Sequence, residues 1–201
     1  MTRRRGAPRA LPLRRAALAL LAAAVSAGAA DDAILRAGVF SPPRTAPDFA
    51  LQGSDGAELT LARFRGKVVA LAFGFTSCPN VCPTTLGVLA RARKDLGARG
   101  DGFQVVYVTV DPERDDAERM RGYLANFDPS FVGGTGSAEA LAAVRERYGV
   151  LAQQTIVGDA ASIAHSSSIY LIDRGGALRA LMPYGHAADD FAHDVAILLQ
   201  E

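Results

Sequence analysis

Only two cysteines and three histidines occur in the 201 residues, so thiol and imidazole chemistry is confined to five positions. Acidic residues are missing from the first thirty positions, whereas six of the 22 basic residues (Arg3, Arg4, Arg5, Arg9, Arg14 and Arg15) lie there. Beyond residue 30 all 21 acidic residues face 16 basic ones, a net charge of −5. A mildly acidic domain of this kind lacks the basic stripe of a nucleic-acid binder, and no nucleic-acid partner is expected. No internal repeat and no low-complexity segment follows the leader. No cysteine stands near residue 30 to carry a lipid.

The chain also lacks an apolar run of the ~20 residues that a spanning helix needs. Its longest, Ala16 to Ala30, is mostly alanine and follows the basic stretch ending at Arg15. Basic, apolar and then small residues are the order of a secretory signal, with Val25-Ser26-Ala27 or Ala27-Gly28-Ala29 as the cleavage site. Residues 1–30 are therefore read as a cleaved signal, with an N-terminal membrane anchor as the alternative. Either places the rest in an oxidising compartment, the periplasm. Residues 31–46, with Pro42 and Pro43, read as a flexible linker, and 47–201 as one domain large enough for a core of its own.

Within that domain strand and helix patterns alternate. Phe49–Gln52 and Glu58–Leu61 flank Ser54-Asp55-Gly56, a hairpin signal. Lys67–Phe75 and Phe103–Val110 are near-continuous apolar runs, the mark of strands buried on both faces. Helices are expected over Pro83–Ala98, Asp115–Phe127, Ser137–Tyr148 and Ala187–Gln200, the second and third opened by capping residues. Strands Ser168–Ile172 and Ala177–Met182 are joined by the turn Asp173-Arg174-Gly175-Gly176. Parallel crossovers, then an antiparallel hairpin and a last helix, describe an α/β fold with a central mixed sheet flanked by helices. This is the thioredoxin topology with an added N-terminal β-hairpin.

The two cysteines sit four apart in Phe75-Thr76-Ser77-Cys78-Pro79-Asn80-Val81-Cys82-Pro83, where a buried strand runs into a helix. Proline suits the first helical position, which puts Cys82 at the expected N-cap. The positive end of the helix favours a thiolate, the form that binds metals and attacks disulfides. Residues i and i+4 of a helical turn face the same way, so both sulfurs can serve one ion or join as a disulfide. A purely structural disulfide across so short a loop removes little chain entropy. The end of a strand is, moreover, where open α/β sheets place ligands.

His165 precedes the strand of residues 168–172, in a loop that this topology packs against the cysteine turn. Two thiolates and an imidazole form a soft set that suits Cu(I) and tolerates Cu(II). A structural zinc wants four protein ligands, although zinc with a water in the fourth place has the same ligand types. His186 and His193, flanked by aspartates, read as a solvated face rather than a second metal site.

Phe75–Pro83, then Val110-Asp111-Pro112-Glu113-Arg114-Asp115, then His165 before Ile169-Tyr170-Leu171-Ile172-Asp173, together resemble the Sco/SenC family. The resemblance runs from about Pro47 to the C-terminus. It implies a monomeric copper metallochaperone that helps to assemble the dinuclear copper centre of cytochrome c oxidase, with the copper-bearing subunit as partner. It further implies Cys78, Cys82 and His165 as the copper ligands, and Asp111 as an acidic residue beside the site that orients His165 or a partner group. A turn-forming aspartate before proline is the simpler account of Asp111. Family members are often membrane-anchored, which keeps the anchor alternative open.

The main competing function is a periplasmic thiol–disulfide oxidoreductase or redox sensor, with Cys78 attacking and Cys82 resolving. Against the oxidoreductase stand the Cys-x-x-x-Cys spacing and the absence of proline between Pro129 and Pro183, where thioredoxin-type enzymes carry a cis-proline. A peroxiredoxin fits poorly, because the position three before Cys82 is Pro79 rather than threonine.

Overall fold

The computed structural model describes residues 1–2, 34–157 and 160–201. Nearly all of the leader thus lies outside the described residues. Among those that are described, no helix is long and apolar enough to cross a membrane.

The two apolar runs form β4 (Val68–Gly74) and β5 (Phe103–Thr109), every residue of both buried. They pair in parallel from Val68 opposite Phe103 to Gly74 opposite Thr109. The helix that returns the chain between them is α1 (Val81–Asp95), whose Leu86, Leu89 and Ala92 face the core. A second crossover, α2 (Ala117–Ala125), leads to β6 (Val132–Thr135), parallel to β5. The hairpin of β9 (Ile169–Ile172) and β10 (Ala177–Met182) adds antiparallel strands on the other side of β4. The expected hairpin is β2 (Leu51–Gly53) and β3 (Glu58–Leu59), and it extends the sheet beyond β6.

With β1 (Gly38–Thr45) the sheet has eight strands in the order β1-β10-β9-β4-β5-β6-β2-β3. The molecule is α/β with a mixed central sheet, as expected. Two more helices, α3 (Ala138–Tyr148) and α4 (Ala188–Leu198), complete it, α4 packing on α1. Ser137 caps α3 through its side chain, and Gly149 ends it at φ 66°, a left-handed turn that only glycine adopts without strain.

Four strands escape the sequence pattern. Residues 38–45, placed in the flexible linker, instead form the edge strand β1, antiparallel to β10. Prolines are tolerated there because an edge strand needs only half of its N–H groups for pairing. The segment is also tied to α4, since the Asp194 carboxylate accepts the N–H groups of Arg36 and Ala37 at 2.8 and 2.9 Å. Strand β6 reads Val-Gly-Gly-Thr, too rich in glycine to register as a strand. Finally, β7 (Ala152–Val157) and β8 (Ala160–His165) pair with each other as a separate two-stranded sheet. His165 is therefore the last residue of a strand rather than part of a loop.

Candidate metal centre

Strand β4 ends at Gly74 and aims the following turn at the start of α1. The helix begins two residues earlier than proline chemistry suggests. Asn80 is the N-cap, so Cys82 is the second helical residue and Pro83 the third. The first-turn N–H groups of a helix have no partner within it, so a proline costs nothing anywhere in that turn. One of these N–H groups, that of Cys82, points at the Cys78 sulfur at 3.5 Å. Cys82 itself is 3% exposed, whereas Cys78 is half-buried. Both are free thiols.

The register of β7 with β8 sets Ala152 opposite His165, and Leu151 and Ser166 close the hairpin base with hydrogen bonds of 2.9 and 3.1 Å. This delivers His165 Nε2 to 3.6 Å from Cys82 Sγ. The other ring nitrogen, Nδ1, lies 2.8 Å from the Ser166 carbonyl oxygen. A carbonyl can only accept, so Nδ1 carries a proton, and in the neutral ring the Nε2 lone pair faces the sulfur. The Phe75 ring meets the imidazole edge-on at 5.9 Å and limits its tilt. Cys82, His165, Val81, Thr85 and Tyr107 line a pocket of about 10 Å³, the size of one small atom.

Cys82 and His165 are thus brought together, with Cys78 four residues earlier, in the turn that precedes the helix. No hydrogen bond joins Cys78 to His165. Among the described residues no three His, Cys, Asp or Glu side chains already stand grouped as a ligand set.

The cysteine turn is held by Asp115, fully buried and accepting three hydrogen bonds. Thr76 donates its N–H at 2.9 Å and its hydroxyl at 2.6 Å, and the Thr109 hydroxyl donates at 2.7 Å. Arg119 reaches the same turn from α2, donating to Thr76 Oγ1 at 2.7 Å and to Ser77 Oγ at 3.1 Å. The sequence suggests Asp115 as a helix-opening residue, but that task falls to Asp116, whose side chain accepts the Arg119 N–H. The available clue to Asp115 was two threonines, Thr76 and Thr109, at the ends of apolar runs and in need of a buried acceptor.

Asp111 is buried at 6% exposure, at the same end of the sheet. Its carboxylate pairs with Arg114, and its N–H donates to Thr109 Oγ1 at 2.9 Å. The partner that orients the His165 ring is the Ser166 carbonyl. His186 pairs with Asp190 at 3.2 Å and His193 with Asp194 at 2.9 Å. His193, 17% exposed, is packed rather than solvated, which corrects the reading of these two histidines as one solvated face.

The pattern of the SCO1/SenC family matches residues 40–200. The chain belongs to this family. Among curated relatives it is 38% identical over 138 residues to the mitochondrial SCO2 homologue of Mus musculus, covering 64% of this chain and 52% of that protein. It is 32% identical over 133 residues to an SCO2-like protein of Rickettsia conorii, covering 64% of each. The matched part therefore spans between half and two thirds of these relatives. Among solved structures, Bradyrhizobium japonicum ScoI with copper bound is 31% identical at a TM-score of 0.70, covering 75% of this chain and 97% of that one. Arabidopsis thaliana ScoI with copper bound is 30% identical at 0.72, covering 78% and 99%.

Proposed function

We propose that this SCO1/SenC member is a copper metallochaperone that carries one copper ion on Cys78, Cys82 and His165. The observation that carries the proposal is the meeting of His165 Nε2, lone pair first, with the buried Cys82 sulfur, while the Cys78 sulfur rests against the start of the same helix. Two thiolates and one neutral imidazole match the preference of Cu(I) for soft ligands and of Cu(II) for nitrogen. Copper-bound relatives at 30 and 31% identity support the choice of metal.

Copper is cargo in this reading. It leaves by ligand exchange, each thiolate of an accepting protein replacing one of the chain's own ligands. The family resemblance makes that acceptor the copper-bearing subunit of cytochrome c oxidase. The same dithiol can prepare the acceptor by disulfide exchange. Cys78 attacks the partner disulfide, Cys82 resolves the mixed disulfide, and two electrons pass to the partner as the chain's own disulfide forms. The chain then holds no copper, because neither sulfur keeps a thiolate charge. The signal-like order of residues 1–30 supports a periplasmic setting for this chemistry, with the domain released after cleavage or tethered to the inner membrane.

Copper stoichiometry and absorption of the reduced chain, beside Cys82→Ser, test the proposal. One copper per chain with a thiolate-to-copper charge-transfer band, lost in the variant, is the expected result. No copper in the parent chain, but turnover of a disulfide substrate, makes it a thiol–disulfide oxidoreductase instead.

A further inference from the structure

We infer that Tyr107 is a positioning residue for this site, its hydroxyl donating a hydrogen bond to the Cys82 sulfur that favours the dithiol and copper-bearing forms over the disulfide. The inference rests on Cys82 being a copper ligand and adds a determinant of how long the sulfur stays available.

Tyr107 lies mid-strand in β5 and is 1% exposed. Its phenol passes beneath the cysteine turn, through space that exists because residue 74 is glycine. A Cβ on Gly74 would stand 2.1 Å from Tyr107 Oη and 2.8 Å from Cys82 Sγ, so hydroxyl and sulfur share one small volume. In this structure the hydroxyl's one proton is directed at the Phe75 carbonyl at 3.4 Å, a bond long enough for the proton to turn to a sulfur beside it. A buried phenol oxygen costs free energy unless it is bonded, and a phenylalanine would bury the same ring without that cost.

A thiolate, free or on copper, is a strong acceptor, and a disulfide sulfur a weak one. The bond therefore stabilises the reduced side of the couple. On reduction the chain's disulfide takes two electrons and two protons from an external dithiol, which becomes a disulfide. The phenol proton is not transferred.

The test is Tyr107→Phe in the whole chain, poised against dithiothreitol and then loaded with copper. The dithiol–disulfide equilibrium is expected to move about tenfold toward the disulfide, about 30 mV for a two-electron couple. The charge-transfer band of the Cu(II) form is expected to move to longer wavelength, since the sulfur loses a donor. An unchanged equilibrium and an unchanged band in a folded variant overturn the inference. A second readout needs no variant. In the parent chain an infrared tyrosine C–O stretch is expected to shift between dithiol and disulfide forms, and its constancy also overturns the inference. If neither chain binds copper while the equilibrium still moves, the copper reading fails and the role of Tyr107 toward the thiol pair stands.

Discussion

The candidate site has two arms built to different standards. The cysteine arm grows from β4, which is buried along its whole length between β5 and β9, and its turn is bonded to the interior carboxylate of Asp115. The histidine arm is the β7–β8 ribbon, paired with itself outside the main sheet, with Leu151 at its base 79% exposed. A strand inside the main sheet sets the thiols, and a separate ribbon presents the imidazole. The proposed ligand set is thus divided between two separately paired elements.

The largest test of that division is Cys82→Ser. Copper affinity is expected to fall by more than about 100-fold, beyond the 10- to 100-fold that loss of an orienting group costs, as read by competition titration. Next in size is Asp115→Ala. It leaves the Thr76 N–H and two hydroxyls without their acceptor, and a loss of about 3 kcal/mol is expected in chemical denaturation. If stability holds, the cysteine arm does not depend on its buried carboxylate, and the contrast between the arms is wrong.

His165→Ala should act in the opposite sense, sparing the fold to within about 0.5 kcal/mol. It should weaken Cu(II) more than Cu(I), because two thiolates alone can hold Cu(I). Equal loss of both ions would give the imidazole a role in each. Hydrogen exchange sharpens the comparison directly, with copper expected to slow exchange along Ala152–Val157 while leaving Val68–Gly74 unchanged. The smallest effect is expected from Arg119→Ala. Its guanidinium is half exposed, and the loss should be about 0.2–1 kcal/mol and shrink with added salt.

Much of this was legible in one sequence. The apolar runs that became β4 and β5, the capping serine of α3 and the β9–β10 turn all carry local signals. Cys78 and Cys82 stand out because they are the only thiols and follow a buried strand. Other features carry no local signal. Strand β1 contains two prolines, β6 two glycines, and β7 begins Ala-Gln-Gln. Each is held as a strand by its neighbour rather than by its own propensity. Asp115 and Asp116 look alike in the chain. One turns inward to gather three donors and the other caps a helix, a distinction that exists only once Thr76 and Thr109 are brought near.

By itself the sequence determined the fold class and where the only two thiols stand, because apolar periodicity and the scarcity of cysteine are properties of the chain. Tertiary structure decided that His165 Nε2 stands 3.6 Å from the Cys82 sulfur, that the Ser166 carbonyl holds the ring's Nδ1 while Asp111 pairs with Arg114, and that the Tyr107 hydroxyl and the Cys82 sulfur both lie beside Gly74. His165 and Cys82 stand 83 positions apart, and Tyr107 and Cys82 25. Only the pairing of strands brings such residues within a few ångströms, where hydrogen bonds and lone pairs act.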